Sequence, residues 1–131
     1  MKIAVYGIRN CDTMKKAFAW LEAAGLAYDF HDYKRSGIDA AHLQQWCEEV
    51  GHQALINRRG TTWRKLDEAS RQALDSAAAG ESEAAAIALM QAQPSLIRRP
   101  LIVHDDGQGH TALLVGFDPA QYTATLLETR A

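Results

Sequence analysis

The chain has 131 residues, 47% of them hydrophobic and 23% charged, which is enough for one compact domain and too little for two. A composition this close to the globular average excludes a disordered chain, a collagen-like repeat and a disulfide scaffold. Fourteen basic against sixteen acidic side chains give a formal charge of -2, so nothing draws the whole molecule to nucleic acid or anionic lipid, and any anion site must be local.

No apolar run approaches the roughly 18 residues that span a bilayer, and Met1 leads straight into structured sequence, so no membrane partner is expected and the expected location is the cytoplasm. Lys2–Tyr6 is a short, almost continuously apolar run of strand formers ended by Gly7, the pattern of a strand buried on both faces. From Asp12 to Ala24, Met14, Phe18 and Leu21 recur with helical spacing, Ala17, Trp20 and Ala24 widen the stripe, and Gly25 supplies a stop. Residues 27–33 alternate with period two, so strand, helix and strand fit one right-handed parallel crossover.

The middle of the chain is helical in pattern. Asp39 can cap a helix carrying Leu43, Trp46, Cys47 and Val50 on one face. Leu66, Ala69, Ala73 and Leu74 suggest another helix. The alanine-rich stretch 77–92, broken by Gly80 with Ser82 as its cap, suggests one more that packs thinly, as filler rather than as a site. Pro94 and Pro100 bracket Ser-Leu-Ile-Arg-Arg, after which Leu101–His104 and Ala112–Val115 form a hairpin about an Asp-Gly turn. Asp118-Pro119 caps and opens a C-terminal helix through Tyr122, Leu126 and Leu127. The order β-α-β, helices, β-β-α predicts an α/β fold with a thioredoxin-like mixed sheet. Its core would cover about 1–36 and 94–131, with a helical insertion at about 37–93.

Cys11 and Cys47 are the only cysteines, and without paired spacing they do not read as a structural disulfide in a reducing compartment. Cys11 falls at the expected N-terminus of the first helix, where free N–H groups and the positive end of the dipole favour a thiolate. The alternative is a small buried apolar cysteine. A helix end contributes about 0.3 to 1 kcal/mol, short of the roughly 2.7 kcal/mol that a two-unit pKa drop requires, so further donors or cations must help. Met14 stands where a C-x-x-C pair would carry its second thiol, so a mixed disulfide at Cys11 would need an external thiol such as glutathione, or Cys47 if the fold brings it close. Cys47 shares a stripe with Leu43, Trp46 and Val50 and reads as core-facing.

Asn57–Lys65 carries four cations and no acid, and Arg98-Arg99 precedes Pro100. Guanidinium groups near a thiolate would lower its pKa and grip an oxyanion or carboxylate. Arg58, Arg64 and Lys65 taken singly read as a solvated charge run. Other chemistry is disfavoured: Gly107-Gln-Gly109 leads into a strand rather than a helix, a C-x5-R phosphatase loop would need arginine where Ala17 stands, the histidines lack metal-ligand spacing, and there is no G-x-S-x-G element. No metal site is expected.

Four blocks resemble the arsenate reductase (ArsC) and Spx superfamily, in its YffB-like branch. They are Tyr6-Gly-Ile-Arg-Asn-Cys11-Asp-Thr-Met-Lys-Lys-Ala17, His31-Asp-Tyr33, Asn57-Arg-Arg-Gly-Thr-Thr-Trp-Arg-Lys-Leu66 and Arg98-Arg-Pro-Leu-Ile102. The resemblance implies a thioredoxin-like core with an inserted helical subdomain and a single nucleophilic cysteine, here Cys11. It also implies a substrate- or anion-binding set of Arg59, Arg99, Pro100, Asn10, Asp12 and Thr13, with Pro100 as a cis-proline beside the thiol. Arsenate reductases of the superfamily carry a third arginine near the end of the hairpin, where this chain reads Leu114-Val-Gly-Phe117. The expected activity is therefore that of a glutathione-dependent thiol oxidoreductase with no bound cofactor. Its partners would be glutathione or a thiol or disulfide substrate, with glutaredoxin as a further protein partner. The alternatives are an Spx-like regulatory module docking on RNA polymerase and a glutaredoxin-linked arsenate reductase.

Overall fold

A computed structural model describes residues 1–75 and 79–128. The chain divides into two compact units, Met1–Tyr33 with Arg99–Ala131, and Lys34–Arg98.

The first unit is built on a four-stranded mixed sheet of order β2-β1-β3-β4. Strand β1 (Lys2–Gly7) pairs in parallel with β2 (Asp29–Asp32), Ala4 opposite Asp29 and Gly7 opposite Asp32. It pairs antiparallel with β3 (Leu101–Asp105), and β3 pairs antiparallel with β4 (Thr111–Val115). This is the thioredoxin-like α/β fold that the order of elements predicts. The sheet is not buried equally on both faces, however: in β1, Ile3 and Val5 are enclosed while Ala4 and Tyr6 are half-covered. On that partly covered face Tyr6 stacks on His31 with ring centroids 4.7 Å apart.

Helix α1 (Asp12–Ala23) lays Met14, Ala17 and Leu21 into a core shared with Ile3, Val5, Leu26, Ile102, Leu114, Tyr122 and Leu126. Its end is a Schellman motif: Gly25, at φ 72°, donates to the Glu22 carbonyl at 3.1 Å, and Leu26 donates to that of Leu21 at 3.0 Å. Glycine is needed at this left-handed position, and the apolar residue after it closes on the helix it has just left. The hairpin turn is held by carboxylates, Asp105 accepting from Gly107 N at 2.8 Å and Asp106 from Gln108 N at 2.6 Å.

The C-terminal segment departs from the single helix expected of it. A turn of α-helix, α8 (Pro119–Tyr122), is capped by Asp118, which accepts from Gln121 N at 3.2 Å, and continues as a π-helix over Thr123–Glu128. Where the helix widens, the Thr123 hydroxyl donates to the Pro119 carbonyl at 2.9 Å, a local competitor for the backbone ladder. Tyr122 is buried between Trp20 and Phe117, both edge-on, and its hydroxyl donates to the Gly116 carbonyl at 2.5 Å.

The turn α2 (Tyr33–Ser36) leads into the second unit, which is helical. Helix α3 (Ala40–Val50) is capped by Asp39, accepting from His42 N at 2.8 Å, and buries Leu43, Trp46 and Cys47. Val50, expected on the same face, is exposed. Short helices α4 (His52–Leu55), α5 (Thr61–Arg64) and α6 (Glu68–Ala73, capped by Asp67) follow. Helix α7 (Ala79–Ala92) corrects two expectations. Gly80 does not interrupt it and Ser82 lies inside it, and with Ala86, Ile87 and Met90 buried it is a core element of its unit rather than thin filler. Small alanine side chains allow α7 to approach α3 and α6 closely. Ala77 and Ala78, included in the expected stretch, lie outside the described residues. An Ile56–Ile97 bridge, with Asn57 N donating to Leu96 O at 2.8 Å and Arg98 N to Leu55 O at 2.7 Å, ties the end of this unit to its middle. Among the described residues no helix is long and apolar enough to cross a membrane.

Candidate active site

Strand β1 ends at Gly7 and a short loop delivers Cys11 to the N-cap of α1, with extended backbone (φ -143°, ψ 133°). Two bonds fix its main chain: Cys11 N donates to Arg9 O at 3.2 Å, and the Cys11 carbonyl accepts the first helical bond from Lys15 N at 3.0 Å. The side chain is half-buried and unpaired with the other cysteine. As a thiol it makes no capping bond. Its anion is another matter. Partial burial works against the charge, but the N–H groups of Met14 and Thr13 and then the Arg99 guanidinium outweigh it, and together they hold the Cys11 pKa below its ordinary value of 9.0. The first-turn amides are the helix end's own contribution, and the further donor that a helix end alone could not supply is Arg99.

Arg99 comes from the residue before β3, preceding a cis peptide bond to Pro100. Pro100 is buried, and its carbonyl accepts from Gly116 N at 2.8 Å, which ties this backbone to the end of the hairpin. Gly7 permits the close approach of these parts. A Cβ built on it would stand 2.5 Å from both Met14 Sδ and Cε and 3.6 Å from Arg99 Cβ. Met14, in the place of a second C-x-x-C thiol, is fully enclosed beneath Gly7.

The guanidinium of Arg99 also reaches a residue that the sequence reading gave no role. Tyr33 is 1% exposed, and burial pushes its hydroxyl up to about 12 although the Arg99 charge and hydrogen bond pull it down, with Cys11 and Asp32 adding repulsion. The period-two pattern expected a strand through residue 33, which would place Tyr33 on the exposed side with Asp29 and His31. Instead β2 stops at Asp32 and the chain enters a helical turn, which swings Tyr33 inward. Its presence in the His31-Asp-Tyr33 block was the one available signal.

The expected site residues therefore divide. Cys11, Arg99 and Pro100 lie in the first unit with Asn10, Asp12 and Thr13, whose side chains are exposed around the thiol loop. Arg59 belongs to the second unit, exposed in the loop before α5, with its backbone N–H donating to Asn57 Oδ1 at 3.1 Å. Nearby, Arg58 lies over the Trp63 ring at 4.8 Å and pairs with Asp75 at 3.3 Å, a solvent-facing arrangement of small energetic weight. Arg64 and Lys65 are exposed. Cys47 is 6% exposed, and burial, helped by Glu83, pushes its thiol up to about 11. No cluster of three or more His, Cys, Asp or Glu side chains suited to a metal ion occurs among the described residues.

A mixed β2-β1-β3-β4 sheet with a cysteine at the first helix N-cap and a cis-proline immediately before β3 defines a thioredoxin-like α/β protein. The ArsC family model matches residues 6–125, and the chain belongs to that family. It is similar to an uncharacterized protein of Haemophilus influenzae, 38% identical over 122 residues that cover 93% of this chain and 96% of the relative. Among solved structures it resembles the YffB (PA3664) protein, with 52% identity, a TM-score of 0.79, and coverage of 95% of this chain and 99% of the other. It also resembles an arsenate reductase (ArsC) related protein from Brucella melitensis, with 47% identity, a TM-score of 0.67, and coverage of 97% and 96%. An arsenate reductase from Vibrio cholerae shares the fold at 22% identity and a TM-score of 0.69 over 92% of this chain and 94% of its own.

Proposed function

We propose that this ArsC-family chain is a glutathione-linked thiol oxidoreductase whose nucleophile is Cys11. The observation that carries the reading is the environment of one sulfur: half-buried, at a helix N-cap, with two amides and the Arg99 guanidinium favouring its anion. Family membership supports thiol chemistry in general. In the proposed cycle the Cys11 thiolate attacks one sulfur of a glutathionylated substrate, a Cys11–glutathione disulfide forms, and the substrate leaves as its thiolate. A second glutathione thiolate then attacks the glutathione sulfur of that adduct, forming glutathione disulfide and returning the Cys11 thiolate.

An external resolving thiol is favoured on two grounds. Met14 fills the place of a local second cysteine, and Cys47 is enclosed, with a thiol pushed up to about 11 that leaves almost no nucleophilic anion at neutral pH. Arg99, once the sulfur is neutralised in the adduct, has a charge and a donor fork to offer a glutathione carboxylate. Arsenate is the weaker substrate reading because the hairpin end, Leu114-Val-Gly-Phe117, presents no cation.

Incubation with glutathione disulfide followed by site-resolved mass spectrometry tests the proposal. Cys11 is expected to carry the adduct and Cys47 to remain free, while Cys11→Ser reduces thiol-transfer turnover to background and Cys47→Ser leaves it nearly intact. Equal loss in both variants, or an adduct confined to Cys47, overturns the reading.

A further inference from the structure

Arg99 must be held still if it is to favour a thiolate. A guanidinium on a long side chain gives up rotamer entropy when it is fixed, so an untethered arginine near a sulfur spends much of its time elsewhere. The fold restrains the base of this side chain, since Arg99 Cβ lies against Gly7 and the next residue is tied by Gly116 N to Pro100 O at 2.8 Å. Those contacts fix where the side chain starts and leave its tip undetermined.

The tip meets Tyr33. The guanidinium donates to the hydroxyl of this enclosed tyrosine and also to Cys11 Sγ. A planar fork with several N–H donors can serve both acceptors without bending, whereas an ammonium would have to choose. Tyr33 is a fixed anchor because it is 1% exposed and starts a helical turn immediately after β2, whose last residue, Asp32, pairs with Gly7. A phenylalanine would fill the same space, so packing alone does not account for the hydroxyl.

We propose that Tyr33 is a positioning residue for Arg99: its buried hydroxyl holds one arm of the guanidinium so that another arm faces Cys11. The inference rests on Cys11 being the working thiol, and it adds a residue that acts on that thiol only through the arginine. Tyr33 itself touches no reacting atom and transfers no proton.

The test is the pH dependence of Cys11 alkylation by iodoacetamide, followed at that residue by mass spectrometry, in the wild-type chain, Tyr33→Phe, Arg99→Gln and the double variant. Tyr33→Phe is expected to raise the midpoint by about half a pH unit or more, and Arg99→Gln to raise it further. The double variant should match Arg99→Gln alone, because without the arginine the hydroxyl has nothing to hold. An unchanged midpoint in Tyr33→Phe alongside a raised one in Arg99→Gln overturns the role of Tyr33, as does an additional rise in the double variant. A wild-type midpoint already at 9.0, the ordinary thiol value, instead overturns the reading of Cys11 on which this rests. Should Tyr33→Phe lose its melting transition, side-chain NMR of the unaltered protein decides: anchored Arg99 gives distinct, slowly exchanging Nη signals, and averaged signals overturn the proposal.

Discussion

Replacing Gly7 by alanine tests the packing on which the thiol site stands. The new methyl carbon would lie 2.5 Å from Met14 Sδ and Cε, against the 3.5 to 4.0 Å or so at which such atoms rest, so Met14 must retreat by about 1 Å. A methionine tip can usually move, but this one is 0% exposed in a core shared with Val5, Ala17 and Leu21. Overpacking of this kind costs about 1–3 kcal/mol. With an unfolding entropy near 2.1 cal/mol/K per residue, that is a fall in Tm of roughly 4–11 °C for 131 residues. Thermal unfolding followed by circular dichroism measures it. Met14→Ala alone should cost about 2–5 kcal/mol, and adding it to Gly7→Ala should cost less than the sum, since the cavity of one receives the methyl of the other. Strict additivity, or a Gly7→Ala protein melting with the wild type, refutes the argument that glycine is needed here for close approach.

Cys47 gives an alkaline prediction with a defined sign. Its folded pKa of about 11 lies above the ordinary 9.0, so the neutral thiol stabilises the fold below pH 9 and that stability is lost as pH rises toward 11, by at most about 2–3 kcal/mol. Denaturant midpoints of wild type and Cys47→Ala should therefore converge between pH 9 and 11, and parallel curves refute this. His104, 6% exposed on β3, keeps an Nε2 with no hydrogen-bond partner among the described residues, a deficit of about 1–3 kcal/mol. His104→Leu should melt no lower than the wild type, and a loss of several degrees would reveal a partner for that nitrogen.

What the sequence made legible was local chemistry. Asp39 and Asp118 announce helix starts because a carboxylate one residue ahead of an apolar stripe has amides to accept from, and both do so. Gly25 marks the end of α1 because only glycine takes φ 72° without cost. Cys11 was legible for the same reason, since the hydrogen-bonding need of a helix start does not depend on the rest of the fold. Contacts distant in sequence were not legible. Tyr33 looked like one more alternating strand residue, and only the early end of β2 turns it toward Arg99, which lies far along the chain. The burial of α7 was missed because alanine carries little apolar signal and owes its place to what packs against it. The π-helical ending depends on hydroxyl competition at Thr123 that periodicity cannot register.

Tyr33 and Arg99 have one more property in common: they are the points at which the polypeptide leaves and re-enters the sheet-bearing unit, with the whole of Lys34–Arg98 strung between them. Their hydrogen bond therefore works as a clasp at the neck of a long excursion. One contact thus sits both where that segment begins and ends and where the guanidinium tip lies.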